Sequence, residues 1–193
     1  MKLTLAGPGS GKTTDLVKQI KSAVSHLKQN KEMAVITYTN ASVDDIKEKL
    51  SDSIVITPNI FIGTIHSFLM HYFIMPHADS LGYNVANVLV VDKLSMKGFE
   101  WIDSWVEQSN PEKDKKEKQD IKSRLIQSRR NSAIEAAAKK GIYTYDGIIK
   151  IANQLSKETK IMKSISNRIQ YLFIDEYQDI SIYGHNIVML LEK

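Results

Sequence analysis

The 193-residue sequence contains no cysteine, which excludes a disulfide framework and any thiolate metal site and fits a reducing compartment. Its five histidines, His26, His66, His71, His77 and His185, show no ligand spacing. The metal chemistry left open is an ion bridged by phosphate. No apolar run approaches the roughly 20 residues that a transmembrane helix needs. The apolar start, Leu3 to Ala6, stops at Gly7, short of the roughly 7 to 15 residues of a signal-peptide core. These absences lead to the expectation of a soluble, cytoplasmic chain with no membrane partner. A chain this long buries roughly 70% of its unfolded surface, enough for one domain, or one domain with an insertion.

What is present begins with an uneven charge. Residues 111–140 hold ten Lys or Arg against five Asp or Glu, while the other 163 residues hold sixteen against seventeen. The net +4 therefore sits in one block. Its apolar residues Ile121, Leu125, Ile126 and Ile134 recur at mostly helical spacing, which reads as an exposed helix. Lys115, Lys116 and Lys118 belong either to an ordinary solvated face or to a surface for a polyanion.

Short apolar runs alternate with amphipathic stretches. Strands are expected at Leu3 to Ala6, Met33 to Tyr38, Ser53 to Thr57, Ile60 to Ile62 and Ile169 to Ile174. Helices are expected at Thr13 to Lys28, Val43 to Leu50, Thr64 to Tyr72 and Ser181 to Glu192. This alternation predicts an α/β fold with a parallel sheet flanked by helices. The middle lacks strand signals, so residues 93–145 read as a helical insertion in a domain made of 1–92 and 146–193.

Ala6-Gly7-Pro8-Gly9-Ser10-Gly11-Lys12-Thr13 matches the phosphate-binding loop, with Ala in place of its first glycine, between an expected strand and an expected helix. Gly7, Gly9 and Gly11 let successive N–H groups turn inward, and the helix N-terminus adds partial positive charge. Lys12 suits the β/γ-phosphates, and the Thr13 hydroxyl suits Mg2+. Ser10 and Thr14 complete the ATP-phosphate candidates.

Mg2+ also needs a carboxylate, and an attacking water needs a base. Two apolar runs end in Asp. Val88 to Asp92 is followed by Lys93, whereas Tyr171 to Asp175 is followed by Glu176. The second supplies both groups at a strand's C-terminal end, where open α/β sheets place their ligands. Asp175 is the metal candidate and Glu176 the base; Asp92 reads as a strand-end or turn residue.

Gly9 to Thr13 together with Asp175-Glu176-Tyr177-Gln178-Asp179 resembles the UvrD/Rep family of superfamily 1 DNA helicases. Two further matches lie between them in the family's order. Thr37-Tyr38-Thr39-Asn40-Ala41 is similar to its Thr-Phe-Thr-Asn motif, and Gly63-Thr64-Ile65-His66-Ser67-Phe68 to its Gly-Thr-Phe-His-Ser-Phe motif. Tyr145-Asp146 and the run ending in Asp92 are weaker echoes. The resemblance implies a P-loop NTPase (RecA-like) motor domain that uses ATP and Mg2+, with Gln178 at the phosphates. It implies single-stranded DNA at Thr37, Tyr38, Thr39, Asn40, Thr64, His66 and Ser67. Hydroxyls and an amide suit phosphate oxygens, and Tyr38 and His66 offer stacking faces.

The family's adenine-contacting glutamine motif lies upstream of the first strand, where this sequence begins. Downstream, 14 residues follow Asp179, without the Gly-Asp-x-x-Gln-Ser motif or the second motor domain. That domain's arginines complete the ATP site, and an arginine finger is worth roughly 10³ to 10⁵ in rate. The expectation is the N-terminal motor lobe of a helicase, binding nucleotide better than it turns it over, with a second motor domain as partner. The rivals are a dormant nucleotide- or DNA-binding module and a small P-loop kinase, whose lid could use Arg124, Arg129 and Arg130.

Overall fold

A computed structural model describes residues 2–5, 12–94 and 101–192. In chain order its elements are β1 (Lys2–Leu5), α1 (Lys12–Val24), β2 (Glu32–Thr37), α2 (Asn40–Ser51), β3 (Ile60–Thr64), α3 (Ile65–Leu69), α4 (Met75–His77), β4 (Leu89–Val91), α5 (Trp101–Ser109), α6 (Lys115–Ala138), β5 (Ile142–Thr144), α7 (Tyr145–Leu155), α8 (Thr159–Arg168), β6 (Ile169–Ile174) and α9 (Ile182–Glu192). The chain divides into two compact units, Met1–Ala78 with Ile148–Lys193, and Asp79–Gly147.

The first unit is built on a parallel sheet of order β1-β6-β2-β3. Met33, Ala34, Val35 and Ile36 of β2 are all fully buried, as an interior parallel strand covered on both faces requires. On one face, Met33 and Val35 join Ile60, Ile62 and Phe173 under α1 (Leu16, Val17, Ile20, Ala23) and α2 (Val43, Ile46, Leu50). Those helix residues recur every three or four positions, so each helix turns one apolar stripe to the sheet. Alternation along the strands sends Ala34, Ile36, Leu172 and Ile174 to the opposite face, where they are equally buried.

The expected strand at Ser53 to Thr57 does not form. The N–H groups of Ser53 and Ile54 both donate to Leu50 O at 2.9 Å, so they cap α2 instead of entering a ladder. Val55 is left 81% exposed, and pairing resumes only where Met33 meets Ile60.

The expected helix from Thr64 to Tyr72 is interrupted. After α3 the chain makes a π turn over Met70–Ile74, closed by Met75 N–H on Met70 O, with Pro76 following at once. Proline offers no N–H to continue α-type bonding, and the wider turn lets three consecutive residues, Tyr72, Phe73 and Ile74, enter the core.

In the second unit α5 and α6 form an antiparallel hairpin zipped by Lys118–Glu107 at 2.6 Å and Lys122–Asp103 at 2.5 Å. A reciprocal cap starts α6: Glu117 N–H donates to Asp114 Oδ1 at 2.8 Å, and Asp114 N–H to Glu117 Oε2 at 3.3 Å. The middle of the chain also holds a strand that its pattern conceals. β5 pairs in parallel with β4, Val90 opposite Tyr143. Three residues show no periodicity, and β5 is set by Gly141, whose φ of 82° turns the chain after α6.

Candidate functional site

Because the first unit's sheet is parallel, the chain leaves β2, β3 and β6 at one common edge. β6 runs directly into Asp175, whose backbone N–H donates to Ile36 O at 2.9 Å. The residue is 6% exposed, and Oδ1 accepts from Glu176 N–H at 3.1 Å. Burial pushes the Asp175 carboxyl up. The Glu176 N–H opposes this, the charges of Glu176 and Asp45 add to it, and Lys49 counters it. A buried carboxylate that is costly to ionise gains most from a nearby cation, and carboxylate oxygen is the donor Mg2+ prefers. The residue therefore fits the ion its position suggests.

Glu176 is the only non-glycine residue with positive φ among the described residues, at φ 52° and ψ 44°. Gln178 Nε2 donates to Glu176 Oε2 and, at 3.4 Å, to Asp179 Oδ2. The sequence candidate Gln178 thus meets the candidate base directly.

The hydroxyl-rich motifs share the neighbouring strands. Thr37 and Thr64 are register partners on β2 and β3. Thr37 is 1% exposed and donates to Thr39 O at 3.0 Å, so it shapes the edge from beneath. Thr39 caps α2: Oγ1 accepts from Ser42 N–H at 3.1 Å and lies 2.9 Å from Ser42 Oγ. Thr64 caps α3 in the same way, with Ser67 N–H at 3.3 Å and Ser67 Oγ at 2.7 Å. Tyr38 is 52% exposed; Asn40 and Ser67 are exposed and His66 half-buried. The edge thus presents an aromatic face, an amide and two capped hydroxyl pairs.

Gly7, Gly9, Ser10 and Gly11 lie outside the described residues, and of Lys12, Thr13 and Thr14 only the backbone, the opening turn of α1, is described. In the second unit Asp92 follows β4 and is exposed, while Asp146 pairs with Arg130. Sequence reasoning did not find Ser42, because Thr39-x-x-Ser42 lacks the Glu or Gln that marks a capping box. It also did not find Asp45, Lys49 or His185, whose proximity to the acidic turn comes from packing. Among the described residues no group of three or more His, Asp or Glu could hold a metal alone, and no helix is long and apolar enough to cross a membrane.

A parallel sheet flanked by helices, with an acidic pair at a strand's C-terminal end, is an open α/β architecture with its ligand-binding edge where β6 ends. The family model described as the UvrD/REP helicase N-terminal domain matches residues 2–143 and 106–193. The chain belongs to this family. Across 98% of its length it is 26% identical to 28% of the putative ATP-dependent DNA helicase YjcD of Bacillus subtilis. Over the same share it is 26% identical to 34% of the Gabija protein GajB of Bacillus cereus, and 24% identical to 29% of the ATP-dependent DNA helicase PcrA of Staphylococcus aureus. The chain spans about a third of the length of these curated relatives or less.

Proposed function

We propose that this chain is the ATP-binding motor lobe of an ATP-dependent DNA helicase, in which nucleotide and single-stranded DNA occupy neighbouring parts of one sheet edge. The observation that carries the reading is the contiguity of β6, β2 and β3, which sets Asp175 and Glu176 beside Thr37–Asn40, with Thr64–Ser67 following β3 on the far side of β2. Gly7, Gly9, Ser10, Gly11 and Thr14 would cradle the phosphates, with Lys12 on the β/γ oxygens and Gln178 beside them. Thr13 and Asp175 would hold Mg2+, which would supply neutralisation of the phosphate charge. Glu176 would orient a water and accept its proton at a carboxylate oxygen.

On the DNA side, Tyr38 and His66 would stack on bases. Thr39, Asn40, Thr64 and Ser67 would meet the sugar–phosphate backbone, and the buried Thr37 would hold the edge in shape. Residues 93–145 would form an insertion in the motor domain. Translocation needs a second motor domain closing on ATP, and we assign its arginines to a partner lobe, in the same polypeptide or another. A cytoplasmic location is part of this reading.

The test is fluorescence anisotropy of a labelled oligo-dT with and without Mg·ATPγS. The reading expects the oligonucleotide affinity to shift with nucleotide by roughly 5- to 150-fold, the usual size of a coupling between sites. Identical isotherms in both conditions, with nucleotide bound, would remove it.

A further inference from the structure

The acidic turn is tied to the last helix by contacts that the functional reading does not use. Glu176 sits in the left-handed region, which is unfavourable for any residue with a Cβ. Such a conformation persists only where the surroundings over-determine it. Within the turn, Glu176 N–H donates to Asp175 Oδ1 at 3.1 Å, and Asp179 N–H to Glu176 O at 2.9 Å. On the side chain, Gln178 donates to Glu176 Oε2.

A further contact comes from α9. The Tyr177 hydroxyl and His185 Nδ1 share a hydrogen bond, the ring centroids are 5.7 Å apart, and the same hydroxyl lies 3.9 Å from Met189 Sδ. His185 reaches Tyr177 because α9 starts hard against the turn. A Cβ on Gly184 would stand 2.7 Å from Ile180 Cγ2. Ser181 fixes the first turn of α9, its Oγ accepting from Gly184 N–H at 3.2 Å and its carbonyl from His185 N–H at 2.8 Å.

We propose that His185 is a positioning residue that acts through Tyr177 to hold Glu176 in the left-handed conformation aiming its carboxylate. The catalytic half of this proposal rests on Glu176 being the general base. Tyr177 shares a peptide unit with Glu176, so fixing its ring limits rotation of that unit, the motion by which Glu176 would relax to a right-handed conformation. The contact does not depend on which partner donates: the phenol donates to an unprotonated Nδ1 and accepts from a protonated one. His185 is therefore a fastening in either arrangement of the shared proton.

The test is NMR of the isotopically labelled full chain, following the Glu176 backbone shifts, combined with single-turnover hydrolysis of Mg·ATP. Tyr177→Phe keeps the ring and removes only the hydroxyl, and His185→Asn retains an acceptor near the Nδ1 position. The expected result is that His185→Phe and Tyr177→Phe move the Glu176 shifts alike and the double variant no further, while His185→Asn keeps them. Hydrolysis in the two Phe variants should fall about tenfold to a hundredfold, the scale of a misplaced catalytic group, with Kd for Mg·ATP unchanged. Unmoved Glu176 shifts, additive effects in the double variant, or a loss lying wholly in Kd would each overturn the proposal. Should Glu176→Gln hydrolyse ATP normally while the Glu176 shifts still follow His185, the fastening is supported and the general-base assignment falls.

Discussion

The backbone N–H of Asp175 donates to the carbonyl of Ile36 at 2.9 Å, extending the β2–β6 ladder one residue beyond its last strand pair, Ile36 with Ile174. The acidic pair and the Thr37–Asn40 edge are therefore adjacent stretches of backbone. A shift of the turn that follows Asp175 has a short path to the edge proposed for DNA, and ladder pairing at this point is the connection.

The two sides of that connection should separate by mutation. Tyr38→Ala is expected to weaken oligo-dT binding by about 1–3 kcal/mol, the range for one stacked base, with little loss of stability because the ring is already half-exposed. Thr37→Val should do the reverse, costing about 1 kcal/mol of stability through the lost bond to Thr39 O. Paired anisotropy and urea titrations check both.

Glu176→Gln should bind Mg·ATP with wild-type affinity yet lose residual hydrolysis, because the amide keeps the side chain's shape and removes its basicity. Rapid-quench single-turnover assays check this, and retained hydrolysis would take Glu176 out of the chemistry.

The basic block is less uniform than its composition implies. Lys118 and Lys122 are answered by Glu107 and Asp103, and Arg130 by Asp146. Neutralising Lys115 and Lys116 together should lower the slope of log K against log salt for single-stranded DNA by up to about 1.4, or 0.7 per phosphate contact. Neutralising Lys118 should chiefly loosen the α5–α6 hairpin. Equal slopes for all the variants would return the block to an ordinary solvated face.

At the opposite end of β2, Glu32 accepts from the Tyr72 hydroxyl at 2.7 Å and from Arg168 at 2.8 and 3.1 Å. Burial pushes Glu32 up, but the hydrogen bonds from Tyr72 and Arg168 and the charges of Arg168 and His71 outweigh it, so its carboxyl lies below the ordinary 4.5. A depressed carboxylate stabilises the fold fully above its unfolded value and loses that contribution as the pH falls through the lower folded value. Glu32→Gln should therefore cost about 1 kcal/mol at neutral pH, a figure kept low because the guanidinium is partly solvated. The difference from wild type should shrink below pH 4.5. Denaturant midpoints across this range check the sign.

The sheet was legible because its interior strands are continuous apolar runs closed by motif residues, as in Met33 to Thr37 and Tyr171 to Asp175. The acidic pair and both hydroxyl motifs could be placed from the same runs. Ser53 to Thr57 misled because its β-branched residues suit a strand while capping of α2 claims the N–H groups of Ser53 and Ile54. The π turn at Met70–Ile74 is set by Pro76 and by burial of three successive side chains, and neither effect has a period. His185 carries no local signal, since its meeting with Tyr177 depends on how α9 seats against Ile180.

If Gly7–Thr13 and Asp175–Glu176 serve one Mg·ATP, the lysine proposed for the phosphates should decide whether nucleotide binds at all. Isothermal titration of Mg·ATP into wild type and Lys12→Ala measures this. Wild type should bind and the variant should show no measurable binding, at unchanged thermal stability. Equal affinity in both proteins would contradict the shared site.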